Sequence, residues 1–276
     1  MVGAIVGDIV GSPYEGSHLK WVDDKNFPLF ETNSRFTDDT VLTCATADVM
    51  LHPLSGHSDN FAIRYREWAL KYPGRGYGSG FQQWVDIGGL TTNNSYANGA
   101  MMRCSPIPLY CSLLPTAQIM ACRSIADTHN SPESERGVCS IVSAIHMALN
   151  GNTKLQIKGY VEEHYGHMLD LTVEQWRQHP KPNIRCNLSA PQALTCFMES
   201  TDYESAVRNA VYTKGDTDTI AAIAGSIAEA FYGVKSIPSV MVAGMTERIT
   251  PEMVELINEF YADIGTRVEA YRGFQI

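Results

Sequence analysis

The sequence has no excess of basic residues and no long apolar run. Its 21 Lys and Arg are outnumbered by 30 Asp and Glu, which gives a net charge of -9 and a pI near 5.3. Nonspecific binding to nucleic acids needs a broad basic surface, so this balance argues against that class of function. No apolar segment approaches the length of about 20 residues that a membrane-spanning helix requires. We therefore expect no membrane association and no broad nucleic-acid-binding surface.

The chain also lacks paired cysteine motifs. Its seven cysteines are odd in number, none of them has Cys-x-x-Cys spacing, and most lie in apolar segments. Neither a zinc site nor a disulfide framework is therefore indicated. The apolar start is interrupted by Asp8 and has no basic segment, so it does not read as a signal peptide. Together these features predict a cytoplasmic protein with buried, reduced thiols.

Alternating strand patterns are absent as well, whereas helical periodicity recurs along most of the chain. With 276 residues, 44% of them hydrophobic, the chain can bury a sizeable core. We predict one nearly all-α domain, with its least regular part at 166–189. The predicted helices cover residues 2–11, 37–51, 58–72, 110–127, 133–149, 155–165, 190–198, 203–212, 216–231 and 251–271.

The N-terminal part of the sequence predicts a closely packed helix followed by a long loop. Gly3, Gly7 and Gly11 are four residues apart, so the first predicted helix presents a smooth face for close approach of another helix. Dinucleotide-binding loops have a different glycine spacing and follow a strand, so that kind of site is not indicated. Residues 12–35 are polar and interrupted by Pro and Gly, which predicts a long loop and a mobile lid over a site.

Two predicted helices begin with clustered carboxylates and threonines, in "TDDT" at 37–40 and "GDTDT" at 215–219. Such residues can be ordinary N-caps that complement the helix dipole. The second helix, however, is rich in Ala, Gly and Ser, which predicts a central position against neighbouring helices. Two buried carboxylate clusters close together would repel each other unless they bind a cation. Oxygen ligands without His or thiolate suit Mg²⁺, Mn²⁺ or Ca²⁺, so we favour a metal site, with capping as the alternative.

Five segments spread over most of the chain form a recognisable set: "GDIVGSPYE", "RFTDDT", "SYANGAMMRCSP", "THNSPE" and "GDTDTIAAIAGSIAEAFYG". Together they resemble segments of the ADP-ribosylglycohydrolase family. The resemblance implies an all-α fold, namely a compact single-domain orthogonal helical bundle over residues 1–276 with a binuclear metal site at helix N-termini. It also implies two Mg²⁺ ions, with Mn²⁺ as an alternative, and hydrolysis of the bond between ADP-ribose and an acceptor.

The same resemblance assigns roles to residues of this chain. The two carboxylate clusters would hold the metal ions, a glycine-rich run would approach the phosphates, and a third segment would line the ADP-ribose groove. The implied metal ligands are Thr37, Asp38, Asp39, Asp216, Asp218 and Thr219. The implied ligand-binding residues are Gly76, Gly78, Gly80, Ser95, Tyr96, Asn98, Gly99 and His129, and the implied catalytic residues are Glu15, Asp38, Asp39 and Asp218.

Glu15 bears on the choice of acceptor. It lies in "GSPYEG", and relatives that cleave the O-glycosidic bond between serine and ADP-ribose have a catalytic glutamate in a matching context. Arginine-specific relatives typically lack this segment, so the resemblance favours an O-linked, serine-type substrate on an ADP-ribosylated protein. Related ADP-ribose conjugates, such as poly-ADP-ribose or an acetylated ADP-ribose, stay open as substrates. The alternatives are hydrolysis of arginine-linked, N-glycosidic ADP-ribose, a non-catalytic ADP-ribose-binding protein, and a structural protein.

The chain departs from the family pattern in the segments that would line the groove. Ala97 replaces a usual glycine, Met101 is bulkier than the usual small residue, and Ser131 replaces a usual histidine. None of these changes falls on a predicted metal ligand. Metal binding is therefore expected, and the preferred ligand stays open.

Overall fold

The computed structural model describes residues 1–16, 21–53 and 60–276. Within these ranges the fold is all-α, as predicted: no strand forms, and extended pairing is limited to two isolated bridges, Asn94 with His129 and Ala97 with Arg185. No helix in the described ranges is both long and apolar enough to cross a membrane. The α-helices are α1 (Val2–Gly11), α2 (Asp38–Leu51), α3 (Asn60–Lys71), α4 (Ser79–Asp86), α5 (Gly99–Met102), α6 (Pro106–Tyr110), α7 (Leu114–Ile125), α8 (Pro132–Leu149), α9 (Lys154–Tyr165), α10 (Val173–Gln178), α11 (Cys186–Met198), α12 (Tyr203–Tyr212), α13 (Thr217–Tyr232), α14 (Ser239–Thr246) and α15 (Pro251–Gly265), with one-turn 3₁₀ helices at Ser12–Tyr14, Val234–Ser236 and Glu269–Tyr271.

The centre of the fold is the packing of α1 against α13. Every residue of α1 is buried, and α13 also contacts α8, α11 and α12. A Cβ atom on Gly7 would lie 2.2 Å from the carbonyl oxygen of Ala221, and one on Gly11 would lie 2.5 Å from that of Thr217. Only glycine allows two helix backbones to approach so closely. The predicted glycine face is therefore confirmed, and it brings the end of α1 to the start of α13.

Helix α1 also holds the start of α2, through Asp8. The Asp8 carboxylate is fully buried and accepts hydrogen bonds from Thr37 N and Oγ1, at 2.9 and 2.7 Å. It accepts two more from Thr40, one from the backbone N–H at 3.1 Å and one from the hydroxyl. These donors include N–H groups at the start of α2 that have no partner within the helix. The first turns of α2 and α13 therefore meet beside the end of α1.

Several helix boundaries differ from the sequence prediction. Helix α11 begins at Cys186 and continues through Pro191, and α15 ends at Gly265. Helix α10 lies inside the segment that was predicted to be irregular, where Thr172 and Gln175 form a reciprocal cap. Helix α4 was not predicted, because its apolar stretch is short. The proposed lid at 12–35 includes residues 17–20, which lie outside the described residues.

Candidate active site

A cleft of about 380 Å³ opens where the first turns of α2 and α13 meet. Its walls come from the loop after α1, the glycine-rich segment before and within α4, the segment around α5, and the turn between α7 and α8. With the exception of Thr37, every site residue that the sequence predicted lines this cleft. Those residues are Glu15, Asp38, Asp39, Gly76, Gly78, Gly80, Ser95, Tyr96, Asn98, Gly99, His129, Asp216, Asp218 and Thr219.

The acidic end of the cleft brings together residues that are far apart in the chain. The Thr219 hydroxyl on α13 donates to Asp39 Oδ2 on α2 at 3.3 Å. Glu15, Asp216 and Asp218 each offer a carboxylate oxygen, and these three oxygens lie within 4.8 Å of one another. The starts of α2 and α13 therefore lie side by side. The repulsion between their buried carboxylates has to be offset there, either by protonation or by a bound cation.

Burial and mutual repulsion raise the pKa values of these carboxyl groups. Burial raises the pKa of Asp39 well above its usual value, and the nearby Asp8 and Asp38 raise it further. The pKa of Asp218 is likewise raised by burial and then by Asp216. Burial, followed by Asp8, raises the pKa of Asp38 to about 8. The protein therefore holds negative charge here at an energetic cost.

The cluster fits a divalent cation. Among the described residues, no Lys or Arg forms an ion pair with any of these cleft carboxylates. Asp39 Oδ1 is buried and has no hydrogen-bond partner among them. The donors are carboxylate and hydroxyl oxygens, which are the ligands that hard divalent cations prefer. An acidic cluster that can bind a divalent metal is therefore present.

Thr37 has a different place from its predicted partners. Its hydroxyl donates to Asp8 and accepts the backbone N–H of Asp39 at 3.3 Å, which makes Thr37 the N-cap of α2. The cap of α2 thus comes from Thr37 and Asp8, and the Asp39 carboxylate is left for another partner. Capping accounts for Thr37, whereas it does not account for Asp39. A direct role for Thr37 as a metal ligand stays a prediction.

The groove wall next to the acidic end is built around Asn98. Its side-chain amide donates to Asp216 Oδ2 and, at 3.1 Å, to Ser189 Oγ. Burial raises the pKa of Asp216, and the hydrogen bond from Asn98 lowers it by a smaller amount. Asn98 therefore orients a carboxylate of the acidic cluster, a role that the sequence did not suggest.

The mouth of the cleft carries Tyr96, whose side chain is 50% exposed. The Arg185 guanidinium lies 4.3 Å from the centre of its ring, within cation–π range. Arg185 is in turn paired with Glu133. An aromatic ring held at the mouth offers a flat apolar surface to a ligand.

The glycine-rich run is divided between a loop and a helix. Gly76 has a φ of +103°, and a Cβ atom there would lie 3.1 Å from Asp38 Oδ1. Gly78 is the N-cap of α4, and Gly80 lies in the first turn of that helix. The run therefore packs against the acidic end at Gly76 and lines the groove at Gly80. Phosphate binding by its backbone amides stays a prediction.

Two residues of the site were missed by sequence reasoning. Asp8 is buried among apolar residues of α1, and a single carboxylate in such a helix was the available signal. Arg103 lines the cleft and is fully buried. It directly follows an apolar stretch of the sequence, and the sequence prediction gave it no role. In both cases the sequence signal is a single charged residue within or next to an apolar segment. Because charges are rarely buried without a partner, such a residue indicates a specific role.

The sequence profile of the ADP-ribosylglycohydrolase family matches residues 1–269. This chain belongs to that family. Family membership confirms the resemblance drawn from the five sequence segments, and it identifies the protein as a hydrolase acting on glycosidic bonds of ADP-ribose. The acidic cluster accordingly lies in a cleft of an ADP-ribosylglycohydrolase, and its place as the active site stays a prediction.

Other proteins resemble this ADP-ribosylglycohydrolase along most of their length. ADP-ribosylhydrolase ARH3 from Mus musculus is 27% identical, over 86% of this chain and 84% of its own length. The Homo sapiens protein of that name is 27% identical, over 86% and 85%. ADP-ribosylarginine hydrolase Tri1 from Pseudomonas putida is 23% identical, over 86% and 71%.

A solved structure described as an ADP-ribosylglycohydrolase-related protein complex supports the fold. One of its chains superposes with a TM-score of 0.69 and is 22% identical, with 92% of this chain and 94% of that chain covered. At this level of identity the likeness concerns the fold alone. It agrees with the all-α arrangement described above.

Proposed function

We propose that this chain is a magnesium-dependent hydrolase that removes ADP-ribose from O-linked acceptors, with serine side chains of proteins as the favoured class. The observation that carries the proposal is the position of Glu15. One of its carboxylate oxygens lies within 4.8 Å of carboxylate oxygens of Asp216 and Asp218 at the acidic end of the cleft, while Glu15 itself stays exposed to solvent. The 27% identity to proteins named ADP-ribosylhydrolase ARH3 supports hydrolysis of ADP-ribose linkages.

The oxygen ligands fit two Mg²⁺ ions, with Mn²⁺ as an alternative. The carboxylates of Asp38, Asp39, Asp216 and Asp218, with the Thr219 hydroxyl, would hold them. Bound Mg²⁺ would supply positive charge that orients the ribose hydroxyls and acidifies a water molecule. The chain itself contributes a rigid setting, because the donors come from helix starts that α1 holds together.

Glu15 has the properties of a proton carrier. Glu15 is exposed as a residue, but the cleft partly desolvates its carboxyl group and thereby raises its pKa; repulsion from Asp216 raises it further, while a hydrogen bond with Asp218 lowers it. A carboxyl group with a raised pKa takes up a proton more readily than an ordinary carboxylate does, and it can release that proton again. In the proposed step the bond between the anomeric carbon and the acceptor oxygen breaks, and a water oxygen bonds to that carbon. Glu15 accepts one proton of the water, and the acceptor oxygen receives a proton through it.

The leaving group explains why Glu15 favours an O-linked acceptor. A serine oxygen leaves as an alkoxide unless it is protonated, so cleavage gains from a nearby proton donor. A substituted guanidinium already carries positive charge and can leave as a neutral guanidine. The need for Glu15 should therefore be greater for serine-linked than for arginine-linked ADP-ribose.

The first experiment measures release of free ADP-ribose from a serine-linked and an arginine-linked ADP-ribosyl peptide, with Mg²⁺ and with chelator. We expect Mg²⁺-dependent release from the serine peptide, lowered on the order of 10²- to 10⁴-fold by Glu15→Gln. Glu163→Gln is the matched control, since Glu163 is an exposed residue of α9 that does not line the cleft. Release that is unaffected by chelator would contradict the metal requirement.

The same assay separates the alternatives. Arginine-peptide cleavage that is indifferent to Glu15→Gln would assign the chain to N-glycosidic hydrolysis, an activity named in its Pseudomonas putida relative. Tight binding of ADP-ribose without release from either peptide would indicate a binding protein or another acceptor. Wild-type cleavage of the serine peptide with no effect of Glu15→Gln would keep the substrate class and remove Glu15 from the mechanism.

A further inference from the structure

A short chain of hydrogen bonds lies behind the wall of the cleft. Arg103 Nη2 donates to Thr128 Oγ1 at 2.6 Å and is 3.5 Å from the carbonyl oxygen of Ser124. Thr128 Oγ1 is in turn 3.0 Å from His129 Nδ1. Arg103, Thr128 and His129 are all buried, and of the three only Thr128 does not line the cleft. A buried threonine thus connects a buried cation to the imidazole of the groove.

The available protons decide the direction of each bond. A guanidinium has donors only, so Thr128 Oγ1 must accept the hydrogen bond from Arg103. The Thr128 hydroxyl keeps one proton to donate, and among the described residues His129 Nδ1 is the acceptor within its reach. If Nδ1–H donated to the second lone pair of Oγ1 instead, the buried hydroxyl proton would be left without an acceptor in the described ranges, so the arrangement in which Nδ1 accepts is the more stable one. A neutral imidazole whose Nδ1 accepts carries its proton on Nε2.

The Nε2 edge of the His129 ring lies next to Gly99, which also lines the cleft. A Cβ atom on Gly99 would lie 3.0 Å from Nε2, so the absence of a side chain at Gly99 keeps that edge of the ring accessible. No residue in the described ranges forms a hydrogen bond with Nε2. Burial lowers the pKa of His129 well below its usual value, and the charge of Arg103 adds to that effect. The ring is therefore a neutral donor at physiological pH.

Arg103 gives this wall a fixed positive charge. Its guanidinium lies 4.2 Å from the centre of the Tyr65 ring, and within the described ranges it forms no ion pair with a carboxylate. Its Nε and Nη1 atoms are buried without hydrogen-bond partners there. Burying a guanidinium in this way is costly, and the positive potential that it produces on the groove side would attract an anion.

We infer that Thr128 and Arg103 are positioning residues that hold His129 as an Nε2–H donor to a phosphate oxygen of the ADP-ribosyl group. The identity of the ligand rests on the proposed function, whereas the tautomer does not. Thr128 acts through His129, since its hydroxyl is occupied on both sides and does not line the cleft. Recognition of the diphosphate would then depend on the Thr128 hydroxyl, which does not itself line the cleft.

The tautomer can be measured without any ligand. Two-bond ¹H–¹⁵N spectra of protein labelled at histidine nitrogens distinguish a ring protonated on Nε2 from one protonated on Nδ1, and loss of one signal set in His129→Gln assigns His129. We expect the Nε2–H form in the wild type and in Thr128→Ser, which keeps the hydroxyl. In Thr128→Val the Nδ1–H form should appear. A wild-type ring that is protonated on Nδ1, or on both nitrogens at pH 7, would overturn the inference.

Calorimetric titration with ADP-ribose tests the consequence for binding. We expect about tenfold weaker binding for Thr128→Val and near wild-type binding for Thr128→Ser, because a hydrogen bond to a charged phosphate depends on the tautomer. Thr201→Val, in an exposed turn away from the cleft, is the matched control. Unchanged affinity in Thr128→Val would overturn the positioning role.

The spectra and the titration test separate claims, namely the tautomer of His129 and the binding of ADP-ribose. If the wild type does not bind ADP-ribose at all, the proposed function fails, and the spectra still decide whether the hydrogen-bond chain sets the tautomer. If Thr128→Val does not fold, the wild-type spectrum and the serine variant decide the question. A serine variant that folds, keeps its hydroxyl and nevertheless shows the Nδ1–H form would overturn the inference.

Discussion

Helix α13 buries carboxylates near both of its ends, and their surroundings are opposite. Near the C-terminal end, Glu229 accepts hydrogen bonds from Gly3 N and from the N-terminal amine of Met1, both at 2.7 Å, and from the Tyr261 hydroxyl. Near the N-terminal end, Asp218 accepts the Thr219 N–H at 2.8 Å and otherwise faces Asp216, Asp39 and Glu15. One carboxylate is surrounded by donors, and the other by carboxylates.

This difference separates a structural carboxylate from one that requires a ligand. Both groups are buried, so burial does not distinguish them. Glu229 is satisfied by hydrogen bonds that connect α13 to α1 and α15, and it stabilises the fold as the protein stands. The cluster around Asp218 has more negative charge than its protein donors can balance. A divalent cation can balance that charge, which the helix dipole alone cannot do.

The largest effect should come from neutralising the acidic end. Asp218→Asn and Asp39→Asn keep the shape of the side chain and remove a charge that would bind metal. We expect each to lower Mg²⁺-dependent turnover by roughly 10³-fold, because a ligand of the metal is lost. In chelator the same variants should be at least as stable as the wild type, since repulsion is relieved. Release assays and urea denaturation check both; a large loss of stability in chelator would contradict the assignment.

The opposite end of α13 should respond in the opposite way. Glu229→Leu leaves the Gly3 N–H and the Tyr261 hydroxyl buried without an acceptor, so we expect unfolding to become easier by about 3 kcal/mol. Glu229→Gln, which keeps acceptor oxygen, is the milder matched variant. Turnover per folded molecule should change little in both. Equal stability of Glu229→Leu and the wild type in urea denaturation would show that these bonds contribute nothing net.

Adding Mg²⁺ should stabilise the protein, and more so at higher pH. At a concentration one hundred times Kd the free energy of unfolding should rise by about 2.7 kcal/mol. In chelator, Asp38 has a pKa of about 8 in the folded state against 3.8 as its ordinary value, so the folded protein binds more protons between these limits. Stability without metal therefore falls as pH rises from about 4 to about 8.

The measurement for this prediction is thermal unfolding with Mg²⁺ and with chelator at several pH values. The gain from Mg²⁺ should be largest near pH 8, where the carboxyl groups are least protonated, and smallest near pH 5. Ca²⁺ and K⁺ serve as comparison ions. A gain that is the same at all pH values, or that appears equally with K⁺, would argue against a site of this kind.

The smallest effect should come from the residue that orients the cluster. Asn98→Ala removes the amide that donates to Asp216 Oδ2, and we expect Mg²⁺ affinity to fall about tenfold, the lower end for an outer partner of a metal ligand. Asn187→Ala, an exposed change on α11, is the matched control. Calorimetric Mg²⁺ titration of both variants gives the answer. Unchanged affinity in Asn98→Ala would mean that Asp216 is held by other contacts.

Local sequence signals predicted a large part of this molecule. Periodicity located most of the helices, since an amphipathic or small-residue face repeats along the segment itself. Periodicity was less informative about helix ends, as at Pro191 inside α11 and at Gly265, where packing of the following residues decides where the helix stops. The short α4 and α10 carry too few turns to show a period.

The sequence by itself determined the all-α class, the glycine face of α1, the two carboxylate-rich helix starts and the family, because each is encoded in neighbouring residues or in motifs. Only the tertiary structure decided which residues form hydrogen bonds at the site. Thr219 donates to Asp39, Thr37 donates to Asp8, and Asn98 donates to Asp216. These contacts join residues that are 29 to 180 positions apart. They exist because α1 packs against α13 at its glycines, and no local pattern specifies which helix ends that packing brings together.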